Sequence, residues 1–282
     1  MYSVKKVLTD IPVLNLPEGI CVMDIETAGF SAKYSPVLLL GLAYIERGSW
    51  VAEIHLCEKR SEEPLLLSQW AHALHRFFVF FTYYGKGFDV PFLKERGIRH
   101  NTPLLLPSER HVDLFQKGRL KQVEKEAGFH RQDTLSGKDW THLYRTFERE
   151  QSPSQKDLLV LHNLDDLKGT IHLLLSREDL RDSLPCRFIE DKFLAETFPS
   201  PGNLRIVAVD RDNVLWCRDL PLLSFGKYHF LDIGESFDLL SPKEKEQILL
   251  LEGRSPQYHN IHSLHKSDDF APFLVDNQWR RC

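Results

Sequence analysis

Three apolar runs in quick succession constrain this chain more than any other feature. Ile20-Cys21-Val22-Met23 leads into Asp24-Ile25-Glu26-Thr27, Pro36 to Ile45 is apolar almost throughout, and Trp50 to Leu56 follows the turn Glu46-Arg47-Gly48-Ser49. Runs of this length bounded by turn residues read as strands, and the short connections predict an antiparallel meander. Side chains alternate along a strand, so Asp24 and Glu26 point the same way at the end of the first one. Two hard oxygen ligands side by side suit a divalent cation, although a solvated strand end would carry the same pair.

The elements that follow change character. Ser61 reads as an N-cap, with Glu62 and Glu63 in the first turn of a helix whose Leu65, Leu66, Trp70, Leu74 and Phe77 recur at helical spacing. Phe78-Val79-Phe80-Phe81-Thr82-Tyr83 has no alternation and predicts a strand buried on both faces. After Gly85-Lys86-Gly87-Phe88-Asp89 comes a short helix to about Arg96, stopped at Gly97, then a loop with Pro103 and Pro107 and several helices. The longest of these runs from about Pro153 to Ser176, with Leu164, Leu167, Ile171, Leu174 and Leu175 as its core stripe. Strands followed by mixed strand and helix predict an α/β domain over residues 1–184. Pro185, Pro199, Pro201 and Gly202 then interrupt the chain. Residues 185–282 are expected to form a smaller α+β unit, with a hairpin from Leu204 to Cys217 and a helix from Ser241 to Glu252.

Composition narrows the class. The 282 residues are 42% apolar and 27% charged with a net charge of -4, as in an ordinary soluble protein. No run approaches a membrane span, and the first residues are not followed by an apolar segment, so the expected location is cytoplasmic. Cys21, Cys57, Cys186, Cys217 and Cys282 are scattered, which predicts neither a disulfide framework nor a thiolate zinc site. Residues 85–131 hold ten Lys or Arg against six Asp or Glu, a surplus that phosphate binding or a solvated helix would explain equally.

Two further carboxylates join the first pair. Asp89 stands at a helix start behind a buried strand, where capping alone would also favour it. Gly85-Lys86-Gly87 is too short for a P-loop. In the long helix, residues four apart lie about 40° apart around the axis, so His162 and Asp166 share a face with Asn163, Gly169 and Thr170. Asp165 falls toward Leu158, Leu161 and Lys168, which favours Asp166 as the site carboxylate.

The ordered set Asp24 to Thr27, Gly85 to Leu93, His111 to Leu114, Leu120 to Gly128 and His162 to Asp166 resembles the YprB-like branch of the DEDD 3'-5' exonucleases. The resemblance covers roughly residues 18–178. It implies a ribonuclease H-like mixed sheet flanked by helices, and hydrolysis of phosphodiester bonds with two Mg2+ or Mn2+ ions. By that resemblance Asp24, Glu26, Asp89 and Asp166 are metal ligands and His162 is the general base, with DNA or RNA 3' ends, single-stranded or frayed, as substrate. A nucleic-acid-binding or scaffold protein with the same fold and no catalysis is the alternative. The chain departs from the pattern twice. His162 precedes Asp166 by four residues where the histidine branch usually has five, and Tyr84 stands where related sequences commonly carry Asn.

Weaker candidates surround these. Thr27, Phe30, Lys86 and Phe88 are expected to meet substrate, Phe30 by stacking on a terminal base unless it tucks onto the core. His111 and Asp113 read as supports for the site, and Lys86 and Arg110 as phosphate contacts or solvated cations. His259, His262 and His265 lack a partner acid or Cys cluster and read as polar surface.

Overall fold

The predicted meander is the centre of a six-stranded mixed sheet. In the computed structural model the described residues are 1–184 except 15, 103, 105, 107–109 and 116, and beyond them 188–189, 191–200, 203–212, 214–225, 228–231, 251–252 and 279–282. The chain divides into two units, Met1–Arg181 and Asp182–Cys282.

In the first unit β1 (Tyr2–Leu8), β2 (Ile20–Thr27), β3 (Val37–Glu46), β4 (Ser49–Leu56), β5 (Val79–Thr82) and β6 (His111–Asp113) lie in the order β1-β4-β3-β2-β5-β6. The first three pairings are antiparallel, and β2-β5 and β5-β6 are parallel. The helices of this unit are α1 (Glu63–Leu74), α2 (Asp89–Arg99), α3 (Leu120–Glu126), α4 (Gly137–Glu150) and α5 (Pro153–Ser176), and α6 (Glu178–Ser183) runs across the boundary at Arg181. This is the expected ribonuclease H-like architecture.

Alternation along β2 decides which face does what. Cys21, Met23 and Ile25 pack with Leu66, Trp70 and Leu74 of α1 in one core, while Asp24 and Glu26 turn to the side covered by α5. The core on the α5 side is completed by α4, whose Trp140 stacks on Tyr144 at 5.6 Å and donates its indole N–H to the Leu159 carbonyl at 3.1 Å. Ser136 caps α4 by accepting the Asp139 N–H, and Asp139 accepts the Ser136 N–H in return.

Several expectations are corrected. Residues 2–8, which carry no clear pattern, form edge strand β1, where outward Lys5 and Lys6 mask the period. His111 to Asp113 form β6, too short to show a period. Ser61 is not the cap of α1: it lies in a 3-10 turn, Arg60–Glu62, and α1 starts behind it with Pro64 in its first turn. Gly97 does not end α2, since the helix continues to Arg99 and Gly97 is buried within it. Glu63, 2% exposed, binds the Arg96 guanidinium and the Val37 N–H, so a charge that the sequence assigns to a solvated first turn instead ties α2 to β3.

In the second unit β7 (Phe188–Ile189), β8 (Lys192–Ser200), β9 (Asn203–Asp210), β10 (Leu215–Phe225), β11 (Tyr228–Leu231) and β12 (Leu251–Glu252) pair antiparallel in sequence order, and β13 (Arg280–Arg281) pairs with β10. The hairpin β9-β10 is the predicted one, its turn closed by Asp210 accepting from the Asp212 and Val214 N–H groups. Pro199 does not break the chain but sits near the end of β8, paired with Leu204 of β9. Residues 241–250 of the predicted helix lie outside the described residues, as do His259, His262, His265 and Cys186; Leu251 and Glu252 are strand. Cys217 and Cys282 form a disulfide with a Cα separation of 5.2 Å, contrary to the reading of scattered free cysteines. Strand pairing of β13 with β10 brings together two thiols that are 65 residues apart, which their spacing in sequence could not reveal. No helix among the described residues is long and apolar enough to cross a membrane.

Candidate metal centre

Asp24 and Glu26 sit at the C-terminal end of β2, where the pairing with β3 shifts register at Glu26/Thr27. Opposite Asp24 in β3 stands Gly41, and a Cβ there would lie 1.9 Å from Asn163 Oδ1. The missing side chain lets α5 approach the sheet closely enough for Asn163 to donate to Asp24 Oδ2 at 2.7 Å.

The same helix turn supplies His162 and Asp166. His162 Nε2 lies 3.5 Å from Glu26 Oε1 and 3.7 Å from Asp166 Oδ2. Glu26, His162 and Asp166 thus each offer one ligand atom, all within 4.8 Å of one another. Asp165 points elsewhere and accepts the Gln132 and Asp133 N–H groups at 2.8 and 2.7 Å, as the helical reading of this pair required.

Asp89 reaches the cluster from α2. Its Oδ1 accepts the N–H of Ile25, the residue between the two β2 acids, at 3.3 Å. The turn before it is fixed by Asp113, whose two oxygens accept the Tyr84 and Lys86 N–H groups at 2.8 Å each. His111 Nε2 meets Thr82 Oγ1 at 2.7 Å. Asp113 therefore holds the turn that carries Asp89, and His111 ties β6 to the end of β5 just before it.

The loop after α3 contributes residues that periodicity never singles out. Asp133 Oδ2 lies 2.6 Å from His162 Nδ1 and 3.1 Å from Lys121 Nζ. Burial raises its carboxyl, but the Leu135 N–H, His162 and Lys121 outweigh burial and keep it below the ordinary value. An ionised carboxylate only accepts, so Nδ1 carries the hydrogen, and in the neutral form of the ring the lone pair falls on Nε2, facing Glu26 and Asp166. Arg131 is buried between Glu124, whose side chain is 0% exposed, and Asp166, and bonds both. Gly169 makes room for Glu124, since a Cβ there would lie 2.3 Å from Glu124 Oε2. A Glu inside the 120–128 motif and a glycine on the polar strip of α5 were the only sequence signals of this arrangement.

The other expected contacts divide. Phe30 is 95% exposed, not tucked onto the core, with its ring 6.4 Å from that of half-buried Phe88. Lys86 projects outward. Thr27 is buried and donates to the Gly29 carbonyl at 2.8 Å, shaping the loop that presents Phe30. Arg110 is neither a phosphate contact nor a solvated cation: it is 1% exposed and donates to carbonyls at Leu74, Phe77 and Phe78, closing the end of α1 against β5.

Packing four carboxylates here has an electrostatic cost. Burial, then Asp166, Asp89 and Glu26, push Asp24 well above the usual carboxylate range, and Arg131 opposes them. Glu26 is pushed up by burial, Asp166, Asp89 and Asp133, again against Arg131. Asp89 rises to about 7, because burial outweighs the bonds it accepts from its own backbone and Ile25, with Asp113 and Asp166 adding to the rise. Such uncompensated oxygen donors fit a divalent cation of the Mg2+ or Mn2+ type, whose charge would relieve the repulsion. Glu26 and Asp166 keep 13% and 15% of their side-chain surface exposed, so the donors are reachable from solvent.

A family profile described as RNase_H superfamily, RNase_H_2, matches residues 21–176, and the chain belongs to that family. The fold and acidic cluster accord with a superfamily typified by phosphodiester-hydrolysing nucleases. No curated protein sequence matches the chain. Among solved structures, the family B DNA polymerase of the archaeon Pyrobaculum calidifontis is similar at 19% identity and a TM-score of 0.45, over 58% of this chain and 25% of the polymerase. The chain thus spans about a quarter of that protein's length. Escherichia coli exonuclease I in a zinc-bound complex with single-stranded DNA is similar at 14% identity and a TM-score of 0.36, over 92% of this chain and 68% of the enzyme. The same enzyme with a dT13 oligonucleotide gives 13% and 0.37, with the same coverage.

Proposed function

We propose that this protein is a metal-dependent 3'-5' exonuclease acting on single-stranded or frayed nucleic acid. The observation that carries the reading is the convergence of Glu26, His162 and Asp166 on one point, with Asp24 and Asp89 bound to the residues on either side. Asp24, Glu26, Asp89 and Asp166 would hold two Mg2+ or Mn2+ ions, which supply charge stabilisation for the attacking and leaving oxygens of the phosphodiester. His162 Nε2 takes the proton of the attacking water, while Asp133 keeps Nδ1 protonated and steadies the imidazolium that forms. Asn163 orients Asp24, and Arg131 leaves Asp166 Oδ2 free to face His162. Thr27 shapes the loop of Phe30, and Phe30, Phe88 and Lys86 receive the terminal nucleotide.

One observation favours a second reading, a nucleic-acid-binding scaffold without catalysis: Arg131 occupies Asp166 Oδ1, an oxygen that a metal would otherwise share. Incubation with 5'-labelled DNA and RNA oligonucleotides and Mg2+ or Mn2+ separates the two. A ladder of products shortened from the 3' end, lost in Asp24→Ala, supports the nuclease. No product with either metal leaves the scaffold.

A further inference from the structure

The turn that delivers Asp89 carries a second feature. Tyr84 has φ +66°, a left-handed conformation that a bulky side chain rarely adopts, and it is held there by the two N–H bonds to Asp113. Tyr84 is 50% exposed and its ring lies edge-on to that of Phe115 at 4.9 Å; Phe115 is 42% exposed and meets Tyr83 at 5.5 Å. Lys86 follows Tyr84 by two residues, and Lys117 and Arg119 follow Phe115 by two and four; all three are exposed and make no ion pair among the described residues. A strained backbone that presents apolar rings to water among unpaired cations is a poor choice for stability alone. Flat rings with flanking cations are what a single-stranded nucleic acid recognises, through base stacking and phosphate pairing.

We propose that Tyr84 and Phe115, with Lys86, Lys117 and Arg119, form a stacking platform for the nucleic-acid strand outside the metal centre. The proposal deepens the nuclease reading and rests on nucleic acid being the occupant of that site. Lys86 is three residues before Asp89, so the platform lies on the same turn that delivers a carboxylate to the metal centre.

The test is fluorescence anisotropy with a labelled oligothymidylate of roughly 12 nucleotides, with Ca2+ replacing Mg2+ so that binding is read without hydrolysis. Tyr84→Ala and Phe115→Ala are each expected to weaken binding about tenfold, and Tyr84→Phe to retain it. Replacing Lys86, Lys117 or Arg119 by Gln lowers the slope of log K against log salt by about 0.7 each. Unchanged binding in both alanine variants, or no binding by the wild type, overturns the platform. Ring-dependent binding by a protein that degrades no oligonucleotide upholds the platform and removes the nuclease reading. Should Tyr84→Ala fail to fold, photo-cross-linking of a 5-iodouracil strand to the wild type decides: adducts on Tyr84 or Phe115 support the proposal, and adducts only elsewhere contradict it.

Discussion

Asp133 Oδ2 stands 2.6 Å from His162 Nδ1, on the far side of the ring from Glu26 and Asp166. The hydrogen bond fixes both the tilt of the imidazole and the nitrogen that is left as a base. In Asp133→Asn the amide donates to Nδ1 and drives the hydrogen to Nε2, where it cannot accept a proton. Oligonucleotide hydrolysis should fall about 100-fold in kcat with little change in KM. Histidine ring 15N spectra should show His162 changing tautomer. An unchanged kcat or an unchanged tautomer removes Asp133 from the mechanism.

The close approach at Gly41 makes another prediction. Gly41→Ala pushes a methyl into Asn163 and Leu167, and overpacking of this kind costs about 1–3 kcal/mol. Asn163→Ala removes the donor to Asp24 without adding bulk. Metal affinity, read by Mn2+ titration, is expected to fall about tenfold or more in both. Loss of stability in Gly41→Ala with intact Mn2+ affinity in both would show that Asn163 merely packs.

Arg131 is the counter-charge of the cluster. Arg131→Met strands Glu124, which is fully buried, and the loss is expected at about 3 kcal/mol, or roughly 6–12 °C in melting temperature for a unit of this size. The double variant Arg131→Met/Glu124→Gln should recover much of it. If the single variant melts with the wild type, the buried bridge does not hold this loop.

Protonation supplies a test without substrate. The carboxyl of Asp89 lies near 7 in the folded, metal-free protein against about 3.8 in the unfolded chain, so the folded state binds more protons between those limits. Its contribution therefore grows less favourable as pH rises through that window. His111, lowered to about 4, acts oppositely over part of the same range, so the comparison must be with Asp89→Asn and not with the raw pH profile. Asp89→Asn should be more stable than the metal-free wild type near pH 8, by about 4 kcal/mol at most, and the gain should vanish below about pH 4. Saturating Mn2+ should stabilise the wild type by about 2.7 kcal/mol at 100 Kd and the variant by less. A gain that persists in acid contradicts the electrostatic account.

Where residues sit on one periodic element, the sequence was sufficient. The two-residue period of β2 set Asp24 and Glu26 together, and the helical period of α5 chose Asp166 over Asp165. Asp133 and Arg131 were invisible because they lie on a loop whose course depends on Asp165 taking its backbone N–H groups, a contact no periodicity encodes. Glu124 and Glu63 were unreadable for another reason. A buried carboxylate is indistinguishable in sequence from a solvated one until its arginine arrives from elsewhere in the chain. Likewise β1 and β13 exist only through partners far away in sequence, so local pattern could announce neither them nor the Cys217–Cys282 pairing.

Asp24, Glu26, Asp89 and Asp166 are proposed to form one divalent-metal centre. Anomalous diffraction from crystals soaked in Mn2+ locates the ions themselves. Two peaks about 3.5–4 Å apart, bounded by those four carboxylates, are the predicted result. Mn2+ bound elsewhere, or absent while Arg131 still holds Asp166, would contradict it.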